Sequence, residues 1–302
     1  MKAIVLPLKP KELLLLESLS KRKKLSAEEN RYFLNLKKGH EGELLFTDLA
    51  SKTEGDRLVL NNLLIEHNQT TFQIDCLILT ETRIFLYEVK NFEGDFYLEG
   101  DKFYKKPRRE LNNPLLQLNR TASLLRQLLL SLGLNTPIEA NVVFTHPAFT
   151  LYQAPLDSPI IFPNQITNHL RMINNQATKL TNKSESIAAK LLQLNKTESP
   201  HQRLPSFRYE ELQKGIICPA CRMLSMVSGR GVCKCESCGH KESVATTVLH
   251  QVEEFQLLFP ERKLTTREIY KWCGEVLSKK VIWRILSNNF KSVGEYKSRY
   301  YK

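Results

Sequence analysis

The sequence predicts an α/β protein: a mixed α/β domain over about 26–175, a small cysteine module after it, and a helical C-terminal segment. Three observations predict this. Runs rich in Ile, Leu, Val, Phe and Tyr alternate with stretches of helical apolar spacing in the order helix, strands, helix, strand, helix. Five of the seven cysteines fall between Cys218 and Cys238. Two helix starts, at Thr265 and Ser278, follow them.

Each element has a local cause. "SAEENRYFLNLKKGHEGELLFTDLA" opens with a capping box, Ser26 with Glu29, and continues as an amphipathic helix to about Ala50. Strands are expected at 56–66, 72–79 and 83–91, then a short hairpin within "EGDFYLEGDKFY". In "NNPLLQLNRTASLLRQLLLSLG", Asn113 caps a helix that starts at Pro114 and stops at Gly133. "IEANVVFTH" reads as a buried strand, and "SPIIF" with "NQITNHLRMI" as a further strand and helix. Residues 195–207 have linker composition.

The chain has 302 residues, 42% of them apolar and 25% charged, which excludes a disordered polypeptide. No apolar run approaches the ~18 residues of a membrane span, and Pro7, Lys9, Pro10 and Lys11 interrupt what a signal peptide would keep apolar. A cytoplasmic protein is expected. The net charge of +12 sits at the two ends: residues 1–40 hold ten Lys/Arg and four Asp/Glu, and residues 241–302 hold twelve and seven. Basic ends suit a polyanion such as nucleic acid, or else form a solubilising surface.

The stretch "QIDCLILTETRIFLYEVKNFEG" reads as a hairpin carrying charges where a core is expected. Glu88 and Lys90 share a face with Ile84 and Leu86, while Phe85, Tyr87 and Val89 point the other way. A turn centred between Glu81 and Thr82 sets Asp75 opposite Glu88. Facing carboxylates repel. A metal-dependent phosphodiesterase needs this set: Asp75 and Glu88 as oxygen ligands for Mg²⁺ or Mn²⁺, and Lys90 as the cation at the phosphate. Glu43 falls on the apolar stripe of Leu36, Phe46 and Ala50 in the first helix. Gln117, on the face of Thr121, Leu124 and Leu128, is expected to point inward too. The alternative is an internal ion-pair cluster on a fold without catalysis.

"GHEGE", "QIDCLIL", "YEVKNFEG" and "NNPLLQ", in this order and spacing, resemble the nuclease-related domain (NERD) family of the PD-(D/E)XK, restriction-endonuclease-like superfamily. The resemblance covers about residues 38–150. It implies a restriction-endonuclease-like central mixed sheet flanked by helices, with Glu43, Asp75, Glu88, Lys90 and Gln117 matching the active-site positions. One departure is Ile74, rather than proline, before the Asp.

Cys218-x-x-Cys221 and Cys235-x-x-Cys238 fit a closed tetrahedral Zn²⁺ site of the zinc-ribbon kind. Cys233 could replace Cys235, but Cys-x-x-Cys geometry favours Cys235. After the ribbon, two short helices around a break at Gly274 have helix-turn-helix proportions, with Lys279, Lys280 and Arg284 outward and a wing beyond Phe290. The alternative is a trihelical packing unit with a solvated basic face.

The expected organisation is a basic helical segment at 1–37, the nuclease-like domain at 38–175, a helix and linker at 176–213, the zinc ribbon at 214–243 and the helix-turn-helix-like module at 244–302. The expected function is a Mg²⁺-dependent nuclease hydrolysing DNA, with Lys279, Lys280 and Arg284 at the nucleic acid. The rival is a non-catalytic nucleic-acid-binding or adaptor protein on a nuclease-like fold.

Overall fold

A computed structural model describes residues 9–52, 55–176, 179–180, 182–196, 204–295 and 299–302, so residues 197–203 of the expected linker lie outside the described residues. Two compact units emerge, one built on residues 34–202 and the other on 10–33 with 203–302. The elements in chain order begin with α1 (Lys11–Arg22) and α2 (Ala27–Lys52), and the division falls inside α2. The expected capping box is formed: the Glu29 amide donates to Ser26 Oγ at 3.1 Å and the Ser26 amide to Glu29 Oε2 at 2.7 Å.

The first unit continues with β1 (Leu58–His67), β2 (Thr70–Leu79), β3 (Ile84–Lys90), β4 (Gly94–Glu99), β5 (Lys102–Lys105), β6 (Arg109–Leu111) and α3 (Pro114–Ser131). After it come β7 (Ile138–Phe144), β8 (Phe149–Tyr152), β9 (Ile160–Ile161), α4 (Ile166–Gln176) and α5 (Asn182–Gln193). The central sheet is mixed, in the order β1-β2-β3-β7-β9. β1, β2 and β3 are antiparallel, whereas β3, β7 and β9 run parallel. A helix-containing crossover from β3 to β7 permits the parallel pairing, and α3 supplies it. Leucines of α3 and the Ile84–Leu86 face of β3 form one core; Phe46 and Ala50 of α2, Phe85, Tyr87 and Val89 of β3, and Ile166 and Leu170 of α4 form the other. This is the α/β class with helices on both faces that the sequence predicts.

The hairpin at β4–β5 does not stand alone. It joins β6 and β8 in a second sheet of order β6-β5-β4-β8. Phe92, Phe96, Phe103, Phe144 and Phe149 stack where this sheet meets the central one, with the Phe144 and Phe149 ring centroids 3.8 Å apart. Such rings are separated by up to dozens of residues, so no local periodicity announces the sheet.

The second unit is α1 with β10 (Met226–Ser228), β11 (Val232–Cys235), β12 (Lys241–Ser243), α6 (Val244–Leu258), α7 (Thr266–Trp272), α8 (Lys279–Asn289), β13 (Ser292–Val293) and β14 (Tyr300–Tyr301). Thr265 and Ser278 cap α7 and α8 through the amides of Glu268 and Val281. Gly274, at φ +66°, makes the break between them. β13 pairs with β14, and Leu264 bridges Tyr301, so a hairpin wing closes on the helices. One core holds Leu15 and Leu19 of α1, Cys218 and Cys235 of the ribbon, and Phe255, Trp272 and Ile282 of the helices. Arg22 is fully buried in it. Its guanidinium donates to Glu254 Oε1 at 2.9 Å and to the Gln213 carbonyl at 2.8 Å, and lies 3.7 Å from the Trp272 ring centroid. No helix among the described residues is long and apolar enough to cross a membrane.

Candidate active site and metal centre

Strand pairing between β2 and β3 builds the site. The observed register sets Cys76 against Tyr87 and Leu77 against Leu86, which carries Asp75 to the level of Glu88 as expected. The β2–β3 ladder stops there, while the parallel pairing of β3 with β7, which runs from Ile84 on, continues through Glu88 opposite Val142 to Lys90 opposite Phe144. Asp75 Oδ2 takes the place of the ladder by accepting from the Val89 amide at 2.8 Å. Asn62, at φ +53°, stands in β1 at the same level. Leu58 and Leu60 precede it and Leu63 and Ile65 follow it in one core, so the apolar parity of the hairpin switches at this kink. Among residues other than glycine, Asn is one of those that tolerate this left-handed conformation best.

Glu88 is 3% exposed and Asp75 9%, and Lys90 Nζ lies 2.6 Å from Glu88 Oε1. Burial pushes the Asp75 carboxyl well above its ordinary range, and the negative charges of Glu88 and Glu43 push it further. Burial likewise raises Glu88, against the pull of Lys90. For Lys90, burial opposes the charge, but Glu88, Asp75 and Glu43 outweigh it and the pKa rises.

Glu43 comes in from α2 on the inward side with Phe46 and Ala50, and its Oε2 lies 4.0 Å from His40 Nδ1. Both atoms are buried without a hydrogen-bond partner among the described residues, whereas Glu88 Oε1 is met by Lys90 Nζ. Gln117 differs from the inward orientation expected of it. The residue is exposed at the start of α3, yet its Oε1 accepts from Lys90 Nζ at 3.1 Å, so it reaches the cluster from the rim.

Sequence reasoning missed the residues that fix α2 against the end of β3. Gly42 is one of them: a Cβ there would stand 2.7 Å from Asn91 Cβ and 3.0 Å from Thr145 Oγ1. Asn91 Nδ2 donates to the Lys38 carbonyl at 2.9 Å, and the Thr145 amide donates to the Lys90 carbonyl at 2.9 Å. The second glycine of "GHEGE" was the available signal. Gly42→Ala is expected to destabilise the domain by about 1–3 kcal/mol through overpacking, and to displace Glu43. Gly39, three residues earlier in α2, has nothing within 4 Å of its added Cβ, so Gly39→Ala should stabilise by about 0.5–1 kcal/mol through helix propensity. Thermal melts of the two variants check this; shifts in the reverse order would refute the close approach.

Glu43, Asp75 and Glu88 together with Lys90 leave the cluster two negative charges in excess when all four are ionised. Hard oxygen donors and that charge suit a divalent cation such as Mg²⁺. The fit is chemical rather than pre-closed: among the described residues, only Cys218, Cys221, Cys235 and Cys238 form a group whose donor atoms all lie within 4.8 Å of one another.

That second group is built by two matching turns. The Arg222 amide donates to the Cys218 carbonyl and the Gly239 amide to the Cys235 carbonyl, with Arg222 at φ +61° and Gly239 at φ +76°. Cys218 and Cys238 sulfurs are 3.7 Å apart and those of Cys221 and Cys235 3.6 Å. Tetrahedral zinc with Zn–S of about 2.3 Å requires sulfurs about 3.8 Å apart, so the set could hold zinc with little movement. The Ser225 hydroxyl beside Cys235 brings its pKa down to about 6, toward the thiolate a metal needs. Cys233 faces the core, where burial raises its pKa.

Residues 38–145 match the family model of the nuclease-related domain. This stretch of the chain is similar to a nuclease-related domain. The matched span of the NERD domain runs from the middle of α2 through β7 and so includes Glu43, Asp75, Glu88, Lys90 and Gln117. No curated protein and no solved structure matches the chain.

Proposed function

We propose that the nuclease-related domain hydrolyses phosphodiester bonds in DNA with Mg²⁺ or Mn²⁺, and that the zinc ribbon and the C-terminal module add nucleic-acid affinity. The observation that carries this reading is the buried excess of carboxylate over ammonium where the β2–β3 ladder ends: Lys90 Nζ meets Glu88 Oε1 at 2.6 Å, while Glu43 Oε2 has no hydrogen-bond partner among the described residues. Burying such charges costs several kcal/mol each unless a cation meets them.

Asp75 and Glu88 would hold the metal, with Glu43 as a third carboxylate at the same place. When bound, the metal polarises the phosphate and lowers the pKa of an attached water. Lys90 then places its ammonium at the developing negative charge on phosphate. Gln117 Oε1 accepts from Lys90 Nζ at the rim and so helps to orient the ammonium. Asp75 is itself aimed by the Val89 amide.

Labelled linear, circular and branched DNA incubated with Mg²⁺ or Mn²⁺ tests the reading. Cleavage that requires the added metal and that EDTA abolishes is expected. A second reading, a binding or adaptor protein, is favoured by the 2.6 Å Lys90–Glu88 ion pair, which already neutralises one carboxylate; it predicts bound but uncut DNA under every metal condition.

The boundaries 38–175, 214–243 and 244–302 are our proposal for where cleavage, zinc binding and nucleic-acid recognition reside. We place the protein in the cytoplasm, since five of its seven cysteines cluster between Cys218 and Cys238 as a metal site needs, rather than as the disulfide framework of an oxidising compartment. Replacing Lys279, Lys280 and Arg284 with Ala should weaken DNA binding and flatten its salt dependence by roughly 0.9 in the log–log slope for each phosphate no longer neutralised. An unchanged slope would make the module a packing unit.

A further inference from the structure

Residues 279–302 contain seven Lys or Arg and one Glu, a balance far more basic than the chain as a whole. On α8 the buried residues Ile282, Ile285 and Leu286 face the core, and Lys279, Lys280, Arg284, Ser287 and Asn288 are exposed. Among these cations stands Trp283, 47% exposed. A single exposed ring needs no explanation by itself, but a flat ring set among cations offers a nucleobase a stacking face beside charges for its phosphates. Trp283 lies one helical turn after Lys279 and Lys280 and beside Arg284. Lys291 and Lys302, at the ends of the closing hairpin, are exposed as well. Lys279 is not wholly available to a ligand, since its ammonium sits 4.7 Å from the Tyr270 ring centroid.

We infer that α8 and its wing bind single-stranded DNA, with the Trp283 indole stacked on an unpaired base while Lys280, Arg284 and Lys291 take the flanking phosphates. The inference rests on the nucleic-acid reading of this module and specifies its substrate. Paired bases in a duplex hide their faces in the stack, and only an unpaired base offers a flat π surface for an indole on the crest of a helix. Cations on both sides of an aromatic platform are the arrangement such strands require, because phosphates flank every base. A duplex ligand would use the same cations and leave the indole without a partner of its own shape.

The chain has two tryptophans, and Trp272 is fully buried, so quenching of intrinsic fluorescence by a bound base reports Trp283. The full chain, loaded with zinc and without added Mg²⁺ or Mn²⁺, is titrated with an oligothymidylate, with a blunt duplex of the same length, and with the duplex bearing a single-stranded overhang. The oligothymidylate and the overhang should quench the fluorescence, and the blunt duplex should not. Trp283→Ala should weaken binding of the single strand roughly 5- to 150-fold, the worth of one base–aromatic stack, with the salt slope unchanged because no charge is removed. Trp283→Phe should restore most of that loss. Binding of the blunt duplex should change less than about twofold, since no stack forms there. Equal weakening of duplex and single strand, or single-strand binding without quenching, would overturn the stacking inference and leave the basic module as a duplex-binding surface. Should neither Trp283→Ala nor the triple Lys279, Lys280, Arg284 variant weaken DNA binding, both the stacking inference and the nucleic-acid reading of the module fall.

Discussion

Without divalent metal at the carboxylates, Asp75→Asn is expected to melt higher than the wild type, and with Mg²⁺ or Mn²⁺ the order should reverse. Asp75 and Glu88 both have folded-state pKa values raised chiefly by burial. A carboxyl with a raised folded pKa contributes stability that is present below its unfolded value of about 4 and is lost as pH rises through the higher folded value. The wild type without Mg²⁺ or Mn²⁺ should therefore lose stability as pH rises above about 4, and Asp75→Asn should flatten that fall. Metal binding displaces protons, so metal-induced stabilisation should grow over the same pH window. Asn keeps an oxygen for the Val89 amide but is a poorer ligand, so the metal response should be blunted and cleavage should drop by about a thousandfold or more. Lys90→Ala separates the roles: it removes the ammonium without removing a ligand, so the metal response should persist while cleavage fails. Should Asp75→Asn leave both the metal response and the cleavage intact, the cluster is structural and the adaptor reading stands.

Chelation of zinc, or Cys235→Ser, should unfold the second unit as a whole rather than loosen a small ribbon. Cys218 and Cys235 belong to the same core as Leu19 of α1, Phe255, Trp272 and Ile282, and the ribbon strands bring only short pairings of their own. A structural zinc contributes about 10–16 kcal/mol of apparent binding free energy, as large as the total stability of about 5–15 kcal/mol usual for a domain. Trp272 fluorescence should shift to the red as its burial among Arg22, Phe255 and Phe259 is lost. Metal analysis should give one zinc per chain in the wild type and in Cys233→Ser, and none in Cys235→Ser. Zinc retained by Cys235→Ser and lost from Cys233→Ser would assign the ligand the other way.

Much of the architecture follows from interactions a few residues long, and these were legible in the sequence. Ser26 with Glu29, Asn113 before Pro114, Thr265 and Ser278 each satisfy amides within three residues of themselves. The tight turn at Thr80–Arg83 sets the β2–β3 register, and with it the level of Asp75 and Glu88, since a one-residue slip would turn every side chain over. The paired Cys-x-x-Cys turns likewise carry their own geometry.

The tertiary structure alone decided the rest. Gln117 stays at the surface because its partner Lys90 arrives from another element. Asn62 kinks β1 where the β2–β3 ladder ends, and Gly42 is required by Asn91 and Thr145, which lie far along the chain. The second sheet exists because phenylalanines from β4, β5, β7 and β8 stack together. Arg22 is buried because Glu254 and Trp272, more than two hundred residues away, close around it. Caps, turns and alternation act through neighbours in the chain and leave a mark in its pattern, whereas close packing and charge pairing between distant segments depend on which surfaces the fold brings together.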